Sequence, residues 1–195
     1  MAAMTVFSSL SDTDLMLAVR SGDHPSFDLL LHRHRGPIVY FLYRMVQNTE
    51  IAEELAQDVF LKVYQSRERY TVDARFTTWL YRIATNRALN WIRDHRRAAA
   101  EERLDAPTQE GLHRQIADTS PSAELQAMQR QRVQAVRNAV AVLPERQRVA
   151  LVMHKFEEMD YHKISEVMQC SPQAVKSLLF RAYESLRLSL AGVPA

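Results

Sequence analysis

Apolar residues recur at intervals of three and four positions over most of this chain. The first clear segment is residues 76–93, where one side of a helix drawn at about 100° per residue carries Leu80, Ala84, Ala88, Trp91 and Ile92. In a second segment, residues 50–65, the same spacing places on one face Ile51, Ala52, Leu55, Ala56, Val59, Phe60 and Val63. No segment alternates with period two for long enough to predict a strand. The pattern therefore predicts an all-α fold.

The helical pattern is interrupted once for a long stretch. It runs from residue 11 to residue 97, fails over residues 98–122, and returns over residues 123–190. Shorter breaks are predicted at 21–23, 36–37, 47–49, 69–75 and 143–144, where Gly, Pro, Asn and Asp are concentrated. We expect two small helical domains, 11–97 and 123–190, joined by a flexible linker, with Thr49 capping the helix of residues 50–65.

The polar side of the helix of residues 76–93 is rich in side chains that bind nucleic acid. It carries Arg82, Asn86, Asn90 and Arg93. Arg and Asn can grip phosphates and read base edges bidentately. Residues 69–97 hold seven arginines and two acids, a net charge of +5. From these residues alone, nucleic-acid binding and an arginine-rich solvated surface remain equally open.

The polar side of the helix of residues 50–65 contains an apolar exception. Leu61 lies among Glu54, Gln57, Asp58 and Gln65. A single exposed leucine is common on protein surfaces. A leucine ringed by polar side chains is also typical of a protein-docking patch, and both interpretations remain open here.

Two helices joined by a short turn are predicted near the carboxyl terminus. Tyr161–Met168 suits a short helix, and Ser171 followed by Pro172 suits the start of a second helix, which runs to about Leu190. The outward face of the second helix carries Gln173, Lys176, Ser177 and Phe180, flanked by Arg181. This arrangement is typical of a helix-turn-helix. An ordinary αα-hairpin is the alternative, which the absence of glycine from the turn favours slightly.

Composition narrows the classes of function. The 195 residues carry a net charge of only +2 and a single cysteine, Cys170, which excludes an internal disulfide and a cysteine-based zinc cluster. The first residues lack the pattern of a signal peptide, and no apolar run is long enough to span a membrane. The seven histidines are dispersed. We therefore expect a cytoplasmic protein without direct membrane insertion, which is not an enzyme and takes no cofactor, metal or small-molecule substrate.

Four motifs, in order along the chain, resemble the extracytoplasmic-function (ECF) sigma factors, group IV of the sigma-70 family. They are residues 57–64 (QDVFLKVY), 76–86 (FTTWLYRIATN), 143–148 (LPERQR) and 171–177 (SPQAVKS). The first is similar to the polymerase-binding helix of the family and the second to its promoter-melting segment. The last two are similar to the opening and the recognition helix of its carboxyl-terminal domain. Residues 11–97 thus resemble sigma region 2, residues 98–122 the linker, and residues 123–190 region 4.

The resemblance implies a role for each candidate residue. Core polymerase binding would fall to Glu54, Gln57, Asp58 and Leu61. Contacts with the minus-ten element would come from Trp79, Arg82, Asn86, Asn90 and Arg93. Contacts with the minus-thirty-five element would come from Gln173, Lys176, Ser177, Phe180 and Arg181, with Arg146 and Arg148 on phosphates.

The implied function is transcription initiation. The implied partners are core RNA polymerase, promoter DNA and an anti-sigma factor, and a monomer is expected because promoters are asymmetric. The alternative is a stand-alone helix-turn-helix regulator, which accounts for residues 161–190 but gives residues 50–97 no role. An enzyme is the second alternative, and no His-x-x-x-His pair or glycine-rich phosphate loop supports it.

Overall fold

The computed structural model describes residues 10–72, 75–105 and 121–192. The regular elements in these residues are α-helices and one 3-10 turn, without a strand, which confirms the predicted all-α class. The first bundle consists of α1 (Asp12–Arg20), α2 (His24–Val46), α3 (Thr49–Gln65), a 3-10 turn (Arg67–Arg69) and α4 (Phe76–Asp105). The second consists of α5 (Pro121–Ala141), α6 (Glu145–Phe156), α7 (Tyr161–Met168) and α8 (Pro172–Ser189).

Helix α2 runs straight through a predicted turn. Gly36 and Pro37 were expected to break the chain, yet Pro37 lies inside α2. A proline there removes one backbone hydrogen bond and costs about 3 kcal/mol. Apolar side chains on both sides of it, Leu30 before and Phe41 and Met45 after, are fully buried. Burial of that continuous face outweighs the local cost of the proline.

The start of α3 differs by one residue from the prediction. Asn48, not Thr49, is the cap, and its side chain accepts a hydrogen bond from the Ile51 amide at 3.1 Å. Asn48 has extended backbone angles, φ −136° and ψ 127°, which are those of a cap residue, whereas Thr49 is already helical. Asn is a more effective cap than Thr, which agrees with the position of Asn48 at the start of α3.

The boundaries of the predicted linker also move. Helix α4 ends at Asp105 rather than at Arg97, because residues 98–105 (AAAEERLD) are mostly strong helix formers and continue the helix. Helix α5 begins at Pro121, since proline suits the first helical position. The rest of the predicted linker, residues 106–120, lies outside the described residues.

The two bundles share one hydrophobic core. Leu30, Phe41 and Leu80 of the first bundle belong to the same cluster of buried side chains as Met153 and Val175 of the second. Helix α2 contacts α6, and α4 contacts α7. The structure therefore brings the carboxyl-terminal helices directly onto α2 and α4, an arrangement that the sequence did not predict.

Candidate nucleic-acid and protein interfaces

Helix α4 presents most of its predicted polar face to solvent. Asn86, Asn90 and Arg93 are exposed, and Arg82 is half-buried. Because Leu80, Ala84 and Ala88 on the opposite side are fully buried, the core fixes the rotation of α4 and holds this polar face outward. The α4 polar face is thus placed as its periodicity predicted, available for phosphate and base contacts.

Trp79 belongs partly to the core. Its ring lies 5.3 Å from the ring of Tyr70 and 6.2 Å from that of Phe76, both of which are buried. The indole is half-buried and packs in this aromatic cluster. Packing accounts for its presence on α4, and only its exposed part is left to stack on a base.

Helix α8 carries the second polar face at the start of a well-defined helix-turn-helix. The Ser171 hydroxyl accepts a hydrogen bond from the Ala174 amide at 3.2 Å, and Pro172 is in the first turn. The turn needs no glycine because Gln169 takes the left-handed conformation, with φ at 50°. The five predicted residues of this α8 polar face are all exposed: Gln173, Lys176, Ser177, Phe180 and Arg181.

Phe180 is the feature of the α8 polar face that burial does not explain. Its side chain is 68% exposed, while its neighbour Leu179 is 2% exposed and fills the core. Aromatic contact with a thymine methyl is one established way to read the major groove. An exposed phenylalanine amid Gln, Lys and Arg suits that contact.

Helix α3 forms one wall of an apolar groove. Leu61 is 55% exposed, Glu54 and Gln57 are exposed, and the Asp58 carboxylate lies 3.9 Å from the Arg87 guanidinium of α4. Gln57 and Leu61 line a groove of about 490 Å³ between α2 and α3. The predicted docking residue Leu61 thus lies at the edge of a concave apolar surface.

The other wall of this groove comes from α2 and was missed by the sequence analysis. It consists of His24, Phe27, Leu31 and Arg35. The Tyr64 hydroxyl lies 3.3 Å from His24 Nδ1 and links the two walls at one end. Phe27 and Leu31 are four residues apart, and that spacing was the available signal of a second apolar stripe on α2.

Arg148 is wrongly predicted as a phosphate contact. It is 5% exposed, and its guanidinium donates to the Met45 carbonyl of α2 at 2.8 Å and to the Leu143 carbonyl at 3.3 Å. Burial, followed by the nearby Arg96 cation, lowers its pKa. The arginine inserts between the two bundles, whereas Arg146, the other predicted phosphate contact, is exposed.

We also searched the described part of the chain for metal sites and for membrane-spanning helices. No group of three or more His, Cys, Asp or Glu side chains there could hold a metal ion. Among the described helices, none is both long and apolar enough to cross a bilayer.

Comparison with known proteins decides the family. Residues 30–98 match Sigma-70 region 2, and residues 133–186 match Sigma-70, region 4. The chain is 35% identical over 183 residues to the RNA polymerase sigma-H factor of Pseudomonas aeruginosa, covering 92% of this chain and 93% of that protein. The chain belongs to the ECF sigma factors. The ECF RNA polymerase sigma-E factor of Haemophilus influenzae is 33% identical over 181 residues, covering 91% and 94% of the two chains.

Solved structures show the same fold for this sigma factor. A structure of CnrH in complex with the cytosolic domain of CnrY aligns with a TM-score of 0.69 at 18% identity, covering 94% of this chain and 99% of that one. The sigma factor RpoE in complex with the anti-sigma factor NepR, from Bartonella quintana, aligns with a TM-score of 0.63 at 18% identity, covering 86% and 98%. The two matched sigma regions and the two relatives above 30% identity show that the chain is an alternative sigma factor that directs transcription initiation, and the stand-alone regulator is not favoured.

Proposed function

We propose that this sigma factor binds core RNA polymerase through the groove between α2 and α3, and promoter DNA through the polar faces of α4 and α8. The observation that carries the proposal is that all three surfaces face solvent at once. Leu61 is 55% exposed beside Gln57, Asn86 and Asn90 are exposed on α4, and Phe180 is 68% exposed on α8. The groove accounts for the feature that a stand-alone DNA-binding regulator leaves without a role.

The docking surface combines an apolar centre with a polar surround. Leu61 and the groove supply the centre, while Glu54, Gln57 and Asp58 form the rim. Interfaces of this design concentrate their binding energy in the desolvated centre, and the rim excludes water and sets orientation. We assign Leu61 as the main contact with core polymerase.

The two DNA-contacting surfaces are small. The α4 polar face carries Arg82, Asn86, Asn90 and Arg93 with the exposed part of Trp79, and is assigned to the minus-ten element. The α8 polar face, Gln173, Lys176, Ser177, Phe180 and Arg181, is assigned to the minus-thirty-five element. Few phosphate contacts give weak, salt-sensitive binding by the free chain. When polymerase holds both surfaces on one promoter, they act as linked sites.

Three further properties belong to this proposal. The protein acts in the cytoplasm, where its polymerase partner works, and it needs no covalent chemistry of its own. An anti-sigma factor is expected as an inhibitory partner, because the two aligned structures include CnrH with the cytosolic domain of CnrY and RpoE with the anti-sigma factor NepR. The relatives named as sigma-H and sigma-E factors support the polymerase partner.

Core docking is tested by Leu61→Glu with Leu188→Glu as the matched control. Leu188 is 73% exposed near the end of α8 and does not line the groove, so both variants place a carboxylate at an exposed leucine. We expect Leu61→Glu to reduce pull-down of core polymerase and run-off transcription at least tenfold, and Leu188→Glu to leave the pull-down unchanged. Equal pull-down by the two variants would remove Leu61 from the interface.

Promoter recognition by α8 is tested by Lys176→Ala with Arg181→Ala. The control is Arg130→Ala with Lys155→Ala, which removes two exposed cations of the same bundle that lie on α5 and α6 rather than on α8. We expect the first pair to weaken transcription from the cognate promoter at least tenfold while core binding persists. The control pair should change it less than twofold. If both pairs weaken transcription equally, net charge rather than the α8 polar face determines recognition.

A further inference from the structure

Two polar side chains of α1 hold one tyrosine in place. The Tyr70 hydroxyl donates a hydrogen bond to the Thr13 hydroxyl at 3.3 Å, and the Arg20 guanidinium donates one to the Tyr70 carbonyl at 3.3 Å. Thr13 and Arg20 are seven residues apart, about two helical turns, and therefore lie on the same side of α1. One helix thus holds Tyr70 at both its side chain and its backbone, although the partners are 57 and 50 residues away in sequence.

The side of α1 that carries Thr13 and Arg20 is not the side that packs in the core. The apolar side is formed by Leu15, Met16 and Val19, each at most 1% exposed. At 100° per residue, Thr13 and Arg20 lie roughly 100° around the helix from the centre of that apolar side. The core therefore accounts for the position of α1 without these two side chains, and their bonds to Tyr70 need a separate explanation.

Tyr70 in turn packs against Trp79 in the first turn of α4. Tyr70 is 1% exposed and has extended backbone angles, φ −68° and ψ 125°, where the 3-10 turn ends. The centres of the Tyr70 and Trp79 rings are 5.3 Å apart, within the range at which aromatic rings attract one another and prefer a defined relative orientation. A displacement of Tyr70 would therefore move or loosen the indole.

Helix α1 also supports the second buried ring beside Trp79. The centre of the Phe76 ring lies 6.2 Å from that of Trp79 and 5.4 Å from that of His34. His34 Nε2 lies 2.8 Å from the Asp12 carboxylate at the start of α1. Both aromatic neighbours of the indole are thus connected to α1, Tyr70 directly and Phe76 through His34.

The orientation of Trp79 bears on promoter contact because this residue shares one side of α4 with the other residues assigned to the minus-ten element. At 100° per residue, an arc of roughly 80° contains all five of them: Trp79, Arg82, Asn86, Asn90 and Arg93. The indole is half-buried and has buried rings behind it. Binding groups must be held to within about 0.5 Å of their productive position by the packing and hydrogen bonds behind them. The groups that support the indole therefore affect how this side of α4 meets DNA.

We propose that Thr13 and Arg20 are positioning residues for the minus-ten contact. By holding Tyr70, they fix the orientation of Trp79, and this orientation determines how strictly α4 discriminates among minus-ten sequences. Neither Thr13 nor Arg20 touches DNA. The inference rests on the proposed function, and it extends the residues that determine promoter specificity from α4 to α1.

Two pairs of substitutions and one control separate positioning from general stability. Thr13→Val with Arg20→Met removes the hydrogen bonds to Tyr70 and keeps side chains of similar size. Thr13→Ser with Arg20→Lys keeps a hydroxyl and a cationic donor, and is the conservative pair. The control is Ser21→Ala, because the Ser21 hydroxyl lies at the same end of α1 and donates to the Leu17 carbonyl of that helix at 3.3 Å.

The first measurement follows Trp79 in the free chain. The chain has two tryptophans, so Trp91→Phe leaves Trp79 as the single one. In that background we expect Thr13→Val with Arg20→Met to raise the acrylamide quenching of Trp79 fluorescence at least twofold. The conservative pair and Ser21→Ala should stay close to the parent chain. Unchanged quenching in Thr13→Val with Arg20→Met would overturn the positioning of Trp79 by α1.

The second measurement is run-off transcription with core polymerase, from the cognate promoter and from promoters with one base changed in either element. We expect Thr13→Val with Arg20→Met to reduce the preference for the cognate minus-ten sequence at least fivefold, and the conservative pair to restore it. The preference at the minus-thirty-five element and the pull-down of core polymerase should stay within twofold of the parent chain.

Two results would overturn the role of Thr13 and Arg20 in recognition. An equal loss of preference at both elements, or lower transcription with both preferences unchanged, would reduce these residues to a structural role. A parent chain without any minus-ten preference would instead contradict the proposed function, and the quenching measurement would still decide whether α1 positions Trp79.

Discussion

Leu179 and Phe180 are adjacent on α8 and have opposite environments. Leu179 is 2% exposed and belongs to the core, and Phe180 is 68% exposed on the α8 polar face. One residue of sequence changes the direction of the side chain by 100°, which separates a stabilising role from a binding role. The pair allows the two contributions to be measured independently.

Substitution by alanine at these two positions should separate stability from recognition. We expect Leu179→Ala to lower the free energy of unfolding by about 2–5 kcal/mol, because it opens a cavity in the core. Phe180→Ala should change it by less than about 0.5 kcal/mol, as exposed sites do, and should weaken binding to the minus-thirty-five element. Denaturant unfolding measures the change in stability, and binding to an oligonucleotide that carries the minus-thirty-five element measures the change in recognition. Unchanged DNA binding by Phe180→Ala would show that the exposed phenylalanine does not contact this element.

The ends of the helices show which parts of the fold could be predicted from the sequence and which could not. The helix-turn-helix was predicted accurately, since Ser171 and Pro172 give a strong local start signal. The course of α2 through Pro37 was missed, because local turn chemistry was outweighed by burial of Phe41 and Met45 against distant helices. The hydrogen bonds from Tyr81 to the Glu157 carboxylate and from Arg148 to the Met45 carbonyl could not be predicted from periodicity, since these partners lie 76 and 103 residues away in sequence.

The cap of α7 predicts a pH effect confined to the helix-turn-helix. The Asp160 carboxylate accepts a hydrogen bond from the Lys163 amide at 2.8 Å, and that bond, followed by the Lys163 charge, lowers its pKa. A lowered pKa in the folded state stabilises the helix above the ordinary aspartate pKa, and this contribution is lost as the pH falls through the lowered value. Asp160→Asn keeps the cap without a titratable group.

We therefore expect the wild-type chain to lose stability in acid more steeply than Asp160→Asn does. Thermal unfolding between about pH 2.5 and pH 6, around the ordinary aspartate pKa, provides the measurement. Asp14→Asn is a suitable control, because Asp14 is an acid in the first turn of α1 rather than a cap. Parallel profiles for the wild type and Asp160→Asn would show that this cap contributes nothing to the pH dependence.

At the scale of the whole molecule, protonation is coupled to the packing of the two bundles against each other, which is called the closed form below. Burial raises the pKa of Glu157, and the Tyr81 hydrogen bond and the Arg44 charge oppose that effect only partly. Arg44 approaches from α2 and Tyr81 from α4, so both facing groups belong to the first bundle. When the bundles separate, the carboxyl regains water and its pKa returns towards the ordinary value. Proton uptake by Glu157 therefore favours the closed form.

This coupling predicts that the two bundles separate as the pH rises. Because the pKa of Glu157 is higher in the closed form, its contribution to closure is complete below the ordinary glutamate pKa and is lost as the pH rises through the raised value. We expect the radius of gyration from small-angle X-ray scattering to increase between about pH 4.5 and pH 8, a range that begins at the ordinary glutamate pKa. Glu157→Gln, whose amide oxygen still accepts the Tyr81 hydrogen bond, should abolish the trend, while Glu184→Gln should preserve it. A decrease with pH, or the same increase in Glu157→Gln, would separate closure from this carboxyl and leave Arg148 as the main polar contact between the bundles.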